Sequence, residues 1–179
     1  MLTQWRTIVA AMALLLTAAN AAAQAPKTAP SQTWKTYSYA EDGFSVALPS
    51  NPQIQTQQIS IGTTRSYTIN LPDGALMIGV GHFGKMNQGK TPESVLQDAK
   101  NGALSHSNTR LVSEKKISLG GVPGLEFDAE NATAHVKARV YVASDVVYQL
   151  VEGYSAGKPI AHGDEFFDSF RILPAEKPQ

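Results

Sequence analysis

Three carboxylates, Glu126, Asp128 and Glu130, alternate along one face of a strand-like segment. Carboxylates on one face could hold a divalent cation, which needs several oxygens converging at short range. Residues two apart on a strand stand about 7 Å apart, however. Basic side chains follow in the next segment, so the pattern reads as a ladder of solvated ion pairs. The four histidines, His82, His106, His135 and His162, are scattered, and none has a second ligand at metal-binding spacing. His135 is expected to pair with Asp128, and the other three to face solvent. Serines are plentiful, but no Gly-x-Ser-x-Gly elbow marks a nucleophile. Gly79-Val80-Gly81-His82-Phe83-Gly84 is rich in glycine but does not open a helix or end in Lys-Ser/Thr. Those glycines read as places where another element packs closely on a strand, or as a bulge. Asn131-Ala132-Thr133 matches a glycosylation acceptor and equally suits a turn. No catalytic, cofactor-binding or metal residue is assigned, and the chain is expected not to be an enzyme.

The elements that would position these residues form one unit without internal repeats. Residues 1–23 read as a secretory signal peptide: Arg6 is their only charge, an apolar run extends from Ile8 to Ala19, and Ala21-Ala22-Ala23 precedes the expected cut. That run falls short of the roughly 20 residues of a bilayer span. Residues 24–33 form a flexible leader, 34–174 a single domain and 175–179 a disordered tail. Removing residues 1–23 leaves 156 residues with 14 basic and 15 acidic side chains, a formal charge of −1. Near-neutrality argues against nucleic acid as a partner. The absence of cysteine excludes disulfides, thiolate metal sites and the cysteine of a lipid anchor.

Alternation predicts strands over 34–39, 44–48, 54–61, 65–70 and 76–80, with Leu71-Pro72-Asp73-Gly74 as a turn. In the second, Phe44, Val46 and Leu48 face one way, giving a half-buried strand ended by Pro49. Thr91-Pro92-Glu93 starts a helix that runs to about His106, with a hydroxyl cap, Pro in the first position and an acid at the positive end. Strand returns over 110–119, turning at Gly120-Gly121. A meander fills 125–154, and a last helix lies between Pro159 and Phe170. In the meander the expected register pairs Asp128 with His135 and Glu126 with Lys137 across a turn at Asn131 and Ala132. A turn at Ser144-Asp145 then pairs Tyr141 with Tyr148 and Lys137 with Glu152, leaving Lys137 between two acids. Tyr141, Val146, Tyr148 and Leu150 make the second sheet face apolar at one end, so a helix should cover it. The fold class is α+β: one antiparallel sheet flanked by helices.

Tyr37-Ser38-Tyr39, Asp42-Gly43-Phe44 and Pro49-Ser50-Asn51-Pro52 together resemble the opening of the PsbP-like family. That family includes the extrinsic lumenal subunit of the photosynthetic oxygen-evolving complex and shares its fold with a eukaryotic Ran-binding nuclear import factor. Val146-Val147-Tyr148-Gln149-Leu150 and the closing Phe166-Phe167-Asp168-Ser169-Phe170-Arg171-Ile172 are similar to its last strand and helix, and to uncharacterised exported bacterial proteins. The resemblance implies an αβα sandwich and a non-catalytic role in binding or assembly. It transfers no functional residues: Asp42, Gly43, Phe44 and Pro49 match as turn and core positions. The expected role is a periplasmic or secreted binding or assembly-factor module. Its partner would be another envelope protein, met through loops or through Trp34, Tyr37 and Tyr39, although these aromatics read first as cover for the sheet. The alternative is a small-ligand or divalent-metal-binding protein with a cleft between helix and sheet. A hydrolase with an unrecognised site ranks last.

Overall fold

The computed structural model describes residues 33–60, 62–83 and 89–174. The expected signal peptide, nearly all of the leader, and the C-terminal tail therefore lie outside the described residues, as do Ile61 and Gly84. Ten strands are described: β1 (Lys35–Tyr39), β2 (Phe44–Leu48), β3 (Gln53–Ile59), β4 (Gly62–Leu71), β5 (Gly74–His82), β6 (Arg110–Leu119), β7 (Val122–Glu130), β8 (Ala134–Ala143), β9 (Val146–Ser155) and β10 (Arg171–Ile172). Helices α1 (Pro92–Ser107) and α2 (Gly163–Ser169) complete the α+β fold, with a 3-10 turn at Ala40–Asp42. All strand pairs are antiparallel.

The expectation of a single sheet is corrected to two. Seven strands run in the order β3-β4-β5-β9-β8-β7-β6, and three form a separate sheet, β1-β2-β10. Pro49 and Pro52 interrupt the ladder between β2 and β3, since proline has no N–H to donate. β2 pairs instead with the first and last strands of the domain. As the middle strand, with α2 packed against it, β2 is buried on both faces and not half-buried: Ser45 and Ala47 are buried along with Phe44, Val46 and Leu48.

The helix boundaries follow from their caps. Thr91 Oγ1 accepts the Ser94 N–H, and Pro92 occupies the first helical position. Asn108 closes α1 in the left-handed region at φ 50°, a conformation that asparagine tolerates better than most side chains. Val95, Leu96 and Ala99 press α1 onto Leu125, Phe127, Val140 and their neighbours on one face of the large sheet. Phe166, Phe167 and Phe170, with Phe44, Val46 and Leu48, cover the other face over Tyr141, Tyr148 and Leu150. The apolar end of that face thus has its cover, supplied by α2 and the small sheet together. Phe170 stacks at 5.6 Å on Phe44 and at 6.0 Å on Tyr141, which locks the closing Phe-Asp-Ser-Phe stretch into the core.

The meander has the expected faces but a shifted first register. β7 and β8 pair Glu126 with Arg139, Asp128 with Lys137 and Glu130 with His135. The cause is the turn. Asn131 stands at its first corner, where Oδ1 accepts the N–H groups of Thr133 and Ala134 at 2.9 Å, so Ala132 and Thr133 form the bend. Moving the bend by one residue moves the pairing by two, which keeps every side chain on its face. The second hairpin pairs Tyr141 with Tyr148 and Lys137 with Glu152 as the alternation predicts.

Candidate functional site

A buried set of polar groups surrounds Asp42, which alternation alone reads as a turn residue. The 3-10 turn ends at Asp42, Gly43 takes φ 67°, and the chain enters β2. This geometry drives the Asp42 side chain under the large sheet, where it is 3% exposed. The Tyr67 hydroxyl donates to its Oδ2, which also accepts from Arg65 Nη1 at 3.1 Å. His82 Nε2 stands 3.1 Å from Oδ1. The Tyr148 hydroxyl donates to the Asp42 carbonyl at 3.0 Å. Arg65 reaches Glu41 as well, at 2.6 Å. A buried carboxylate needs such partners, because burying it unpaired costs several kcal/mol.

Two members of the cluster are held in their ordinary protonated forms. Hydrogen bonding to Glu41 and Tyr67 holds the Arg65 guanidinium charged more firmly than usual. Burial, followed by the bond to Asp42, pushes the Tyr67 hydroxyl well above the ordinary phenol range, so it remains a donor. Asp42, His82 and Tyr67 could serve acid-base chemistry in principle, but the carboxylate is already shared among three donors. The arrangement works as a clamp that ties the 3-10 turn to β4 and β5. His82, expected to face solvent, is corrected to a half-exposed partner of Asp42. The signal was parity: Arg65 and Tyr67 share a face with Ile69, and His82 shares one with Leu76, Ile78 and Val80. Polar groups on a buried face require partners.

Of the three acids on β7, Glu126 and Glu130 form ion pairs. Arg139 Nε binds Glu126 Oε2 at 2.6 Å, and Lys115 binds Oε1 at 2.8 Å. Burial alone would raise the Glu126 carboxyl, but these two cations outweigh it and hold it below the usual range. Arg139 continues to Asp168 at 2.8 Å and Lys137 to Asp164 at 3.1 Å, while both cations lie over the Phe167 ring. Asp128 accepts from Ser113 Oγ. His135 pairs with Glu130 at 3.2 Å, and not with Asp128, as the shifted register requires. His106 and His162 are exposed. Among the described residues no group of three acids or histidines is arranged to hold a metal ion. Gly81 admits the Phe83 ring, which would stand 2.3 Å from an added Cβ, in keeping with the packing reading of that glycine-rich stretch. Trp34, Tyr37 and Tyr39 pack at the border of the second core cluster, Tyr39 lying 4.4 Å from Tyr67. They cover the sheet, as the first reading of them expects. No described helix is long and apolar enough to cross a membrane.

No family model matches the chain, and no curated protein matches it in sequence. Among solved structures it is similar to cyanobacterial PsbP (CyanoP) from Synechocystis sp. PCC 6803, with a TM-score of 0.54 at 11% identity, over 84% of this chain and 98% of that one. A protein of unknown function, PA94 from Pseudomonas aeruginosa, matches with a TM-score of 0.36 at 10% identity, over 69% of this chain and 83% of that one. The fold is that of PsbP.

Proposed function

We propose that this chain is an exported, non-catalytic binding or assembly module of the cell envelope that meets a partner protein along the edge strand β3. We read its layering, with α1 on one face of the large sheet and α2 with the small sheet on the other, as the αβα arrangement that the PsbP resemblance implies. Export rests on the Arg6-led apolar leader. A non-catalytic role is supported by the clamp and the ladder, whose charges are committed to one another.

The observation that carries the docking surface is the contrast between the two edges of the large sheet. β6 has a register shift between Leu111 and Ser113 and carries Lys115 and Lys116. Bulges and lysines are how sheets discourage pairing with other chains. β3 pairs in continuous register with β4 on one side. Its sequence, Gln-Ile-Gln-Thr-Gln-Gln-Ile, holds no charge and no proline, and all but its last residue are exposed. Ile54, at 52% exposure, stands on that edge. An unguarded strand of this kind takes up an extended segment through main-chain hydrogen bonds. The partner is therefore a protein offering an extended, uncharged polar segment. Photocrosslinkers placed at Gln55 and at Ser113 test this in intact cells: a defined adduct from Gln55 and none from Ser113 supports it.

A further inference from the structure

We propose that the cleft between the C-terminal half of α1 and the large sheet binds a small uncharged molecule with a hydrocarbon body and one hydrogen-bonding group, which meets the amide of Gln149. The cleft has a volume of about 70 Å³. It exists because its walls are small. Ala75, Ala129, Ala138 and Gly153 form the sheet floor, and Ala103 stands on the helix above. The first half of α1 buries Val95, Leu96 and Ala99, whereas Ala103 and Leu104 are only partly buried. The helix therefore seals the sheet at one end and leaves a gap at the other. That volume exceeds several times the roughly 10–15 Å³ needed to admit one water.

Gln149 supplies the second observation. It lies on β9 between Gly79 and Val140, on the same face as Val147 and Val151, and it lines the cleft. It is 3% exposed. Among the described residues its side-chain amide makes no hydrogen bond, although it can donate two and accept at its oxygen. Buried polar groups without partners cost folding free energy, and natural structures rarely keep them. The other hydroxyls of the cleft are engaged with each other: Ser107 Oγ bonds the Ala103 carbonyl and Thr109 Oγ1 at 2.8 and 2.7 Å. No Asp, Glu, Lys or Arg lines the space, and His106 lies exposed at its mouth. A charged ligand would enter without a counter-ion, so the site selects neutral molecules. An amide, hydroxyl or carbonyl at the floor would complete Gln149 while its hydrocarbon body displaces water from alanine and phenylalanine walls. This site is remote in kind from the β3 edge and stands or falls without it.

Amide-detected NMR titration and calorimetry with hexanamide, 1-hexanol, hexanoate and hexylammonium test the assignment on the folded domain. Hexanamide and 1-hexanol should shift the amides of residues 103–107 and 136–138, and the two charged analogues should not. Gln149→Leu should fold at least as stably as the parent and weaken hexanamide at least tenfold. Ala138→Leu, which fills the floor, should abolish binding of both neutral probes, and Gln149→Met provides a second amide-free variant. The proposal is overturned if no probe shifts those amides at millimolar concentration, if charged and neutral probes bind alike, or if both Gln149 variants bind hexanamide as the parent does.

Discussion

Glu152 fills the space that a side chain at position 163 would need: a Cβ built on Gly163 would stand 2.4 Å from Glu152 Oε1. The contact joins the middle of β9 to the first turn of α2, and it explains why the helix begins with glycine. Gly163→Ala obliges the Glu152 carboxylate, the end of a flexible side chain, to shift, and should destabilise the domain by about 1 kcal/mol, the low end of the cost of overpacking. The check is a double-mutant cycle by chemical denaturation. Glu152→Ala should remove most of the penalty, and independent, additive costs would disprove the steric account.

The same carboxyl sets a pH dependence. Burial raises the Glu152 carboxyl above its ordinary value of 4.5, with Asp164 adding to the effect and Lys137 opposing it. A raised acid binds its proton more tightly in the folded state, so its contribution to stability is complete below about 4.5 and is lost as pH rises through the folded value. Glu152→Gln should therefore raise the melting temperature at pH 7, by roughly 2–4 °C per kcal/mol gained, and the gain should vanish at acid pH. Glu126 has the opposite sign. Its lowered carboxyl stabilises above the ordinary value and loses that contribution as pH falls through the folded one. Glu126→Gln should cost stability at pH 7 and cost less at pH 3. Melting curves of both variants across pH check the two slopes.

Much of this fold is legible in the sequence. Two periodicities, the Thr91-Pro92 cap and the glycine and proline turns mark most elements, although β4 and β7 each begin three residues before the expected start and β10 was not expected. What escaped the sequence depends on distance along the chain. Asp42 meets Arg65, Tyr67 and His82 across separations of 23, 25 and 40 residues, and local pattern carries no record of such meetings. The small sheet was missed for the same reason, because β10 returns to β2 from the far end of the domain. The register of β7 and β8 turned on whether Asn131 began the bend or formed it, and both keep the same faces. Gln149 was legible only as a polar residue on an otherwise apolar strand face.

The clamp predicts a large and strongly coupled loss. Asp42→Ala takes from Arg65 its buried carboxylate and from the Tyr67 hydroxyl its acceptor, and should cost about 3–5 kcal/mol. Tyr67→Phe alone should cost about 1–3 kcal/mol, because it strands part of the carboxylate. Together they should cost less than their sum, measured by urea unfolding. Full additivity would mean that the two groups do not act as one unit.

Phe170 predicts what the closing stretch does. Phe170→Ala should destabilise by about 3–5 kcal/mol and loosen α2 and β10 first. Hydrogen exchange should show protection lost at residues 163–172 before the large sheet is affected, and uniform loss across the domain would contradict the assignment.

The most direct test of the role itself is to guard the open edge. Gln55→Lys with Gln57→Lys places two cations on β3, in the manner that β6 already displays with Lys115 and Lys116. Because position 55 is now substituted, the photocrosslinker moves to Gln53 on the same strand, and the measurement is recovery of the partner adduct from intact cells, carried out on the parent and on the doubly substituted protein with equal melting temperatures. The account predicts that the adduct is lost in the guarded protein. An undiminished adduct would contradict docking along β3.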